Sequence, residues 1–206
     1  MEPAAHQYPS SRQKEVYMKR VTKPEWVVRK PNIYLYPRER GFINVRLLSS
    51  PGNSITKSEP LYDNDWRVYT EPSGRINGEY DYLFYEATLG NTPTQSNGWC
   101  VAYKELWDFF KDIMREYGFN TREINDFVDY WSKHLVKSPY YDIFPLGNKD
   151  IDKEYRLQIE PKPDVVLRLW FYIVPRDAEI KLNPPTILTF LRMGFTVTEW
   201  GVILKE

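Results

Sequence analysis

Apolar and polar residues alternate with a period of two over much of the region between residues 32 and 102, which is the pattern of half-buried β-strands. In Asn32–Pro37, Ile33 and Leu35 fall on one face of a strand and two tyrosines on the other. Tight-turn residues such as Asn77-Gly78 separate these segments. The predicted strands cover residues 32–37, 43–47, 66–70, 79–88 and 99–102. The first half of the body is therefore predicted to be antiparallel β-structure.

The period then changes to that of an amphipathic helix. Apolar residues recur at helical spacing as far as Tyr117, and Gly118 can end the helix in a left-handed conformation. Asn120 is suited to cap a second helix, because Glu123 three residues later completes a capping-box-like pattern. Two helices joined by so short a turn predict an antiparallel helical hairpin at about residues 103–137.

Strand patterns return after the hairpin, at residues 155–160, 165–174, 178–182 and 195–204. Two blocks of strands on either side of a helical hairpin predict an α+β fold, an antiparallel β-sandwich with the hairpin inserted. Residues 1–31 contain four prolines and no sustained period, so they are predicted to form an extended N-terminal arm. The β-rich domain is then expected to cover residues 32–206.

Composition narrows the class of protein. An apolar fraction of 42% and an aromatic fraction of 16% are sufficient for a packed core. The sequence contains no run of about 18 consecutive apolar residues, so no membrane span is predicted. Cys100 is the single cysteine and no secretory leader pattern is present, which favours a reducing compartment and a cytoplasmic location.

Few residues are suited to hold a metal ion or a cofactor. Two histidines and one cysteine cannot supply the usual ligands of a zinc site within one chain. Neither the dinucleotide-binding nor the phosphate-loop spacing of glycines occurs. We therefore expect no metal ion and no cofactor.

Charge is distributed unevenly although the net charge is zero. Residues 1–30 contain seven basic against three acidic side chains, so they carry +4 and the remainder carries −4. A basic arm with interspersed aromatic residues is suited to an acidic partner surface, either a protein or a ribonucleoprotein, with no specific DNA readout. The alternative is a solvated tail that binds nothing specific. The predicted partner-binding residues are Tyr8, Arg12, Lys14, Tyr17, Lys19, Arg20 and Trp26.

Glu86 and Glu199 are the weak candidates for catalysis. Strand alternation places each carboxylate on an apolar face, where burial is costly unless the charge is paired. As an acid/base pair they would fit a hydrolase acting on sugars. As buried structural anchors they would be satisfied by Arg168, Arg46 or tyrosine hydroxyl groups, and this interpretation is favoured.

One stretch of sequence resembles a known family. Residues 30–37 read Lys-Pro-Asn-Ile-Tyr-Leu-Tyr-Pro and resemble the Lys-Pro-x-Ile-Tyr-Leu-Tyr-Pro signature of a family of uncharacterised proteins. The likeness continues in residues 80–86, 123–131 and 194–201. Val202 stands where the resemblance leads us to expect a second glycine. The resemblance implies no established activity.

These observations favour a non-enzymatic interaction or structural protein over an enzyme. The arm would dock onto a larger assembly with an acidic surface, either a cytoskeletal filament or a ribonucleoprotein. The protein would be cytoplasmic, and it would be associated with the cytoskeleton if the partner is a filament. The alternative is a carbohydrate-binding or hydrolytic module that uses Glu86, Glu199 and the aromatic strand.

Overall fold

The computed structural model describes residues 26–205, and those residues form an α+β fold with a sheet-rich core. Its strands are β1 (Trp26–Tyr36), β2 (Gly41–Ser49), β3 (Ile55–Glu59), β4 (Trp66–Thr70), β5 (Leu83–Leu89), β6 (Trp99–Ala102), β7 (Tyr140–Gly147), β8 (Tyr155–Glu160), β9 (Val165–Arg176) and β10 (Thr196–Lys205). Its α-helices are α1 (Leu106–Tyr117), α2 (Thr121–His134) and α3 (Asn148–Glu154). None of the helices in this part of the chain is long and apolar enough to span a membrane.

The strands form a larger and a smaller sheet. The larger has the order β3-β5-β1-β10-β9-β7-β6, and the smaller has the order β4-β2-β8. Strands β9 and β10 are parallel, whereas the other neighbouring pairs are antiparallel. The prediction of a purely antiparallel arrangement is therefore wrong, because residues 177–195 carry the chain back along the sheet before β10 begins.

The larger sheet has a core on each face. Ile33 and Leu35 pack with Ile43 and Val45 of the smaller sheet, and Tyr34 packs on the opposite side with residues of α1 and α2. The predicted alternation within residues 32–37 is thus confirmed. Because both faces are covered, the central strands are buried along nearly their whole length.

The helical hairpin is confirmed. Gly118 follows α1 with φ of 106°, in the left-handed region that glycine adopts without strain. Asn120 accepts a hydrogen bond from the Glu123 amide at 3.0 Å, and the Glu123 carboxylate accepts one from the Asn120 amide at 2.8 Å. The capping box therefore satisfies two amide groups that α2 cannot satisfy internally.

The boundary predicted for the arm is wrong. Strand β1 begins at Trp26, between β5 and β10, so residues 26–31 belong to the sheet. Trp26 is 8% exposed and packs edge-on against Tyr172, with ring centroids 5.2 Å apart, so it is not available as a partner contact. Residues 1–25 contain five basic against three acidic side chains, a net charge of +2. The other predicted contacts, Tyr8, Arg12, Lys14, Tyr17, Lys19 and Arg20, lie outside the described residues.

Candidate functional site

Glu199 is completely buried between the two sheets. Its carboxylate accepts hydrogen bonds from the Arg168 Nε at 2.6 Å, the Tyr85 hydroxyl at 2.7 Å and the Trp170 Nε1 at 2.9 Å. A buried charge that has an ion-pair partner and two further donors is a satisfied structural group. The predicted partners Arg168 and a tyrosine hydroxyl are both present, whereas Arg46 pairs instead with Asp65.

Arg168 keeps this pair charged. Burial is the largest single effect and would lower the pKa of its guanidinium, but Glu199, Tyr85 and Asp152 together outweigh burial and raise this pKa above the ordinary value. The Arg168 Nη1 also donates to Asp152 at 2.7 Å and to the Tyr155 carbonyl at 2.6 Å. The two side chains are 1% and 0% exposed, so neither partner of the pair faces an open site.

Glu86 lies on the opposite face of the larger sheet from Glu199. Its neighbour Tyr85 points toward Glu199, so strand alternation directs Glu86 toward the helical side. The Glu86 carboxylate lies 3.4 Å from the Arg29 guanidinium, and its side chain is 16% exposed. The two glutamates therefore cannot flank one substrate, which contradicts the alternative of an acid/base pair and agrees with the favoured interpretation of buried anchors.

A different group of residues gathers around Lys30, where β1 breaks its register. The pairing of β1 with β10 shifts between Arg29 and Asn32, and Lys30 has a φ of 55°. That left-handed conformation is uncommon for a residue with a side chain and is found at bulges and functional sites. The bulge turns the Lys30 side chain toward the helical face of β5.

The Lys30 cluster consists of Lys30, Tyr82, Phe84 and Tyr130. The Lys30 Nζ donates a hydrogen bond to the Tyr82 hydroxyl at 3.1 Å. It lies 4.5, 4.3 and 5.5 Å from the ring centroids of Tyr82, Phe84 and Tyr130. No carboxylate among residues 26–205 lies within 4.0 Å of this nitrogen. The amine is therefore surrounded by rings and has no direct ion-pair partner in that part of the chain.

Burial in this environment lowers the pKa of Lys30 from 10.5 to about 8. The more distant carboxylates of Glu59, Asp126 and Glu86 oppose the shift, and the Lys57 ammonium adds to it. Burial prevails because the ammonium loses water contacts that rings replace only in part. At pH 7, roughly a tenth of such an amine is neutral.

A carboxylic acid and two phenols lie beside the Lys30 cluster. Asp126 of α2 accepts a hydrogen bond from the Tyr34 hydroxyl at 2.9 Å, and burial raises the pKa of this carboxyl. Burial also raises the pKa of Tyr34 and Tyr82, so both phenols stay protonated at neutral pH. The site thus holds proton donors next to a partly neutral amine.

Asn32 completes the surroundings of this site. Its side chain is completely buried, and neither its amide nitrogen nor its amide oxygen makes a well-formed hydrogen bond within the described residues. The amide is near enough to lower the pKa of the Tyr34 and Tyr82 hydroxyls, against the stronger effect of burial. Buried polar groups are normally satisfied, so this amide marks unused hydrogen-bonding capacity.

A second feature is an exposed run of apolar residues in the connection between β9 and β10. The exposed side chains are Leu188 at 82%, Leu191 at 72% and Met193 at 59%, and these three residues are called the apolar segment below. Ile187 and Phe190 of the same stretch pack inward on the helical core. Large apolar side chains exposed so close together are typical of interaction surfaces.

The connection that carries the apolar segment is anchored to the body. The Phe190 amide donates to the Tyr117 carbonyl at 3.0 Å, and the Gly98 amide donates to the Asn183 carbonyl at 2.9 Å. The Arg192 guanidinium forms two hydrogen bonds with the buried Glu123 carboxylate, at 2.9 and 3.1 Å. The exposure of the apolar segment is therefore a property of an ordered backbone.

Sequence reasoning missed both of these features. The break at Lys30-Pro31 interrupts the apolar alternation within β1, and this was the one local signal of the bulge. The rings and the carboxyl group around Lys30 come from Tyr82, which directly precedes β5, from β5 itself and from α2, all far away in the sequence. Within residues 26–205, no group of three or more His, Cys, Asp and Glu side chains is arranged to hold a metal ion.

No protein-family model matches the chain, and no curated protein or solved structure matches it either. The resemblance carried by residues 30–37 therefore stays a prediction.

Proposed function

We propose that this chain is a non-enzymatic interaction protein, a β-sandwich body that docks onto a larger cytoplasmic protein assembly with an acidic surface. A cytoskeletal filament is the kind of assembly that fits. The apolar segment would supply the buried contact, and the basic residues 1–25 would supply electrostatic attraction. The observation that carries the proposal is the exposure of Leu188, Leu191 and Met193 on an anchored backbone.

The apolar segment would contribute to binding through the surface that it leaves in water. Fully burying a leucine or methionine side chain stabilises a complex by about 1.5–3 kcal/mol. Leu188 and Leu191 keep most of their surface exposed, so the free protein gains little from them. Because the connection is already ordered, binding would require little additional loss of conformational entropy.

Charge favours a protein partner over a membrane or RNA. The connection carries Asp177 and Glu179 against Lys181 and Arg192, so it is neutral overall. Anionic membranes and RNA phosphates are recognised by clusters of basic residues, which this connection lacks. An apolar contact of this kind instead fits the apolar patch of a protein surface.

The test is co-sedimentation with purified microtubules and with purified actin filaments. We expect the wild-type protein to pellet with one of the two filaments, and the variant L188S/L191S to lose at least tenfold in affinity. The matched control is L61S/V136S, because Leu61 and Val136 are 83% and 77% exposed but lie elsewhere on the body. The control is expected to bind like wild type.

A chain that begins at Trp26 tests the part assigned to residues 1–25. We expect it to bind more weakly at 50 mM salt than the full chain, with the difference shrinking at 300 mM salt because salt screens the basic residues. The proposal is wrong if neither filament pellets the wild-type protein, or if L188S/L191S and L61S/V136S bind alike. Pelleting with purified ribosomes alone would contradict the choice of a protein filament.

A further inference from the structure

The Lys30 cluster has the arrangement of a reactive amine. The Nζ has one side-chain hydrogen bond among the described residues, to the Tyr82 hydroxyl at 3.1 Å, although an ammonium can donate three. An ion-paired lysine would be held in its charged form, whereas this nitrogen lies among the rings of Tyr82, Phe84 and Tyr130. Lysines removed from water in apolar surroundings act as nucleophiles toward carbonyl groups.

The residues around the amine can supply and accept the protons that such chemistry needs. The Tyr82 hydroxyl is within hydrogen-bond distance of the nitrogen and stays protonated at neutral pH, because burial raises its pKa. The Tyr34–Asp126 pair, joined at 2.9 Å, places a second phenol and a carboxyl group nearby. The buried Asn32 amide nitrogen has no hydrogen-bond partner among the described residues and can donate to an incoming carbonyl oxygen.

We propose that Lys30 forms an imine with small aldehydes that carry an aromatic or unsaturated group, with Tyr82 as the proton donor. The neutral Nζ attacks the carbonyl carbon, and the carbonyl π electrons move to oxygen, which takes a proton from the Tyr82 hydroxyl. The nitrogen returns a proton to the tyrosinate, giving a carbinolamine. Tyr82 then protonates the hydroxyl group, which leaves as water while the C=N bond forms, and the iminium nitrogen gives its remaining proton to the tyrosinate, which restores Tyr82. Amine and aldehyde thus become imine and water without an oxidant or reductant.

The lining of the site selects the class of aldehyde. Tyr82 is half-buried, so a planar group beside the imine would stack on the accessible part of a ring that is already fixed in place. A strongly hydrated aldehyde such as a sugar would lose water contacts without gaining that stacking. The preference is therefore for benzaldehyde over glyceraldehyde.

This site is separate from the docking surface. The Lys30 cluster is formed by β1, by β5 with the preceding Tyr82, and by α2, whereas the apolar segment lies between β9 and β10. Loss of filament binding would leave imine formation unaffected, and loss of imine formation would leave filament binding unaffected. The two proposals can therefore fail independently.

The experiment traps the imine. The full chain is incubated with benzaldehyde and sodium cyanoborohydride at pH 7.4, and the benzylated lysines are located and quantified by peptide mass spectrometry. We expect Lys30 to be labelled about tenfold faster than Lys104, whose side chain is 81% exposed and supplies the internal reference. The Lys30 rate is expected to level off above about pH 8, where most of this amine is neutral.

Two variants distinguish a reactive site from a merely accessible amine. K30R should leave labelling of every other lysine unchanged, and Y82F should slow Lys30 labelling about tenfold while Lys104 is labelled as before. Labelling of Lys30 that is no faster than that of Lys104 in the wild-type protein overturns the proposal, whether or not Y82F folds. Equal rates with benzaldehyde and glyceraldehyde would overturn the assignment of the aldehyde class.

Discussion

At Glu199 the protein buries a full negative charge, and three donors offset the cost of its dehydration. The arrangement makes Glu199 and Arg168 depend on each other. Glu199 without Arg168 would be an unpaired charge between two sheets, and Arg168 without Glu199 would keep only the partly exposed Asp152 carboxylate. Removing one partner of a buried pair typically costs about 3–5 kcal/mol.

We therefore expect E199Q and R168M each to lower the free energy of unfolding by about 3 kcal/mol. The double variant R168M/E199M should lose less free energy of unfolding than E199M and R168M lose in sum, by at least about 1.5 kcal/mol, because the buried pair is removed as a whole. Urea unfolding of the variants at pH 7 measures both quantities. Strictly additive losses would mean that the pair contributes packing alone.

Lys30 gives a prediction on pH. Its pKa falls from 10.5 in the unfolded chain to about 8 in the folded protein, so between these values the unfolded state binds more protons. The free energy of unfolding should therefore rise with pH in this window, relative to a variant that lacks the group. Between pH 7 and pH 10 we expect the free energy of unfolding of wild type to rise by about 1–2 kcal/mol relative to that of K30M. This is less than the full pKa shift would give, because solvent screens the charge.

Urea unfolding of wild type and K30M at pH 7, 8, 9 and 10 isolates this effect, because every other titrating group is common to both. Parallel stability curves would show that Lys30 titrates like an exposed lysine. An increase that begins only near pH 10 would lead to the same conclusion.

At the scale of elements, the sequence predicts a helix or strand correctly where the signal for it lies within a few neighbouring residues. The capping box of Asn120 and Glu123 lies within four residues, and the structure forms it as expected. Strand β7 was missed because Pro145 lies inside it, and proline counts against a strand. Residues 178–182 were predicted as a strand, but they have no neighbouring strand to pair with and lie outside the sheets.

Arg192 is the residue on which the connection to β10 most depends. Its side chain binds the Glu123 carboxylate through two hydrogen bonds and lies 4.8 Å from the centroid of the Tyr36 ring. We expect R192A to lower the free energy of unfolding by about 1–3 kcal/mol, because the buried Glu123 loses its ion-pair partner. Hydrogen exchange at the Phe190 amide should speed up by a larger factor than exchange in β9.

The matched control for R192A is R115A, since Arg115 forms an exposed pair with Asp112 on α1. Exposed pairs of this kind contribute about 0.3–0.5 kcal/mol, so R115A should leave Phe190 exchange unchanged. Equal effects of R192A and R115A would contradict the anchoring role.

At the scale of the whole molecule, the order of strands in the larger sheet could not be deduced from the sequence. The parallel pairing of β9 with β10 depends on how residues 177–195 cross the helical hairpin, and no local pattern encodes that path. The Lys30 cluster was missed for the same reason, because its rings meet only once β1 lies beside β5. The buried face of a strand follows from the alternation of its residues, whereas the strands that it pairs with are determined by long-range packing.

The position of β1 makes a prediction about truncation. Val28 is completely buried and Trp26 nearly so, and both lie in a strand bonded on each side. A chain that begins at Trp26 should keep its cooperative thermal transition. A chain that begins at Pro31 should have a free energy of unfolding lower by about 4 kcal/mol or more, because it lacks a buried tryptophan and half of the β1 ladder. Circular dichroism melting compares the two, and similar melting temperatures would contradict the central role of β1.

The pairing of Trp26 with Lys205 in the β1–β10 ladder has a consequence for attachments. Chain that precedes the body and chain that follows it emerge from a single corner, side by side. A bulky fusion at one end would therefore crowd whatever is joined to the other. A linker of a few glycines between residues 205 and 26 would suffice to close the body into a ring, and new ends could then be opened in a surface loop.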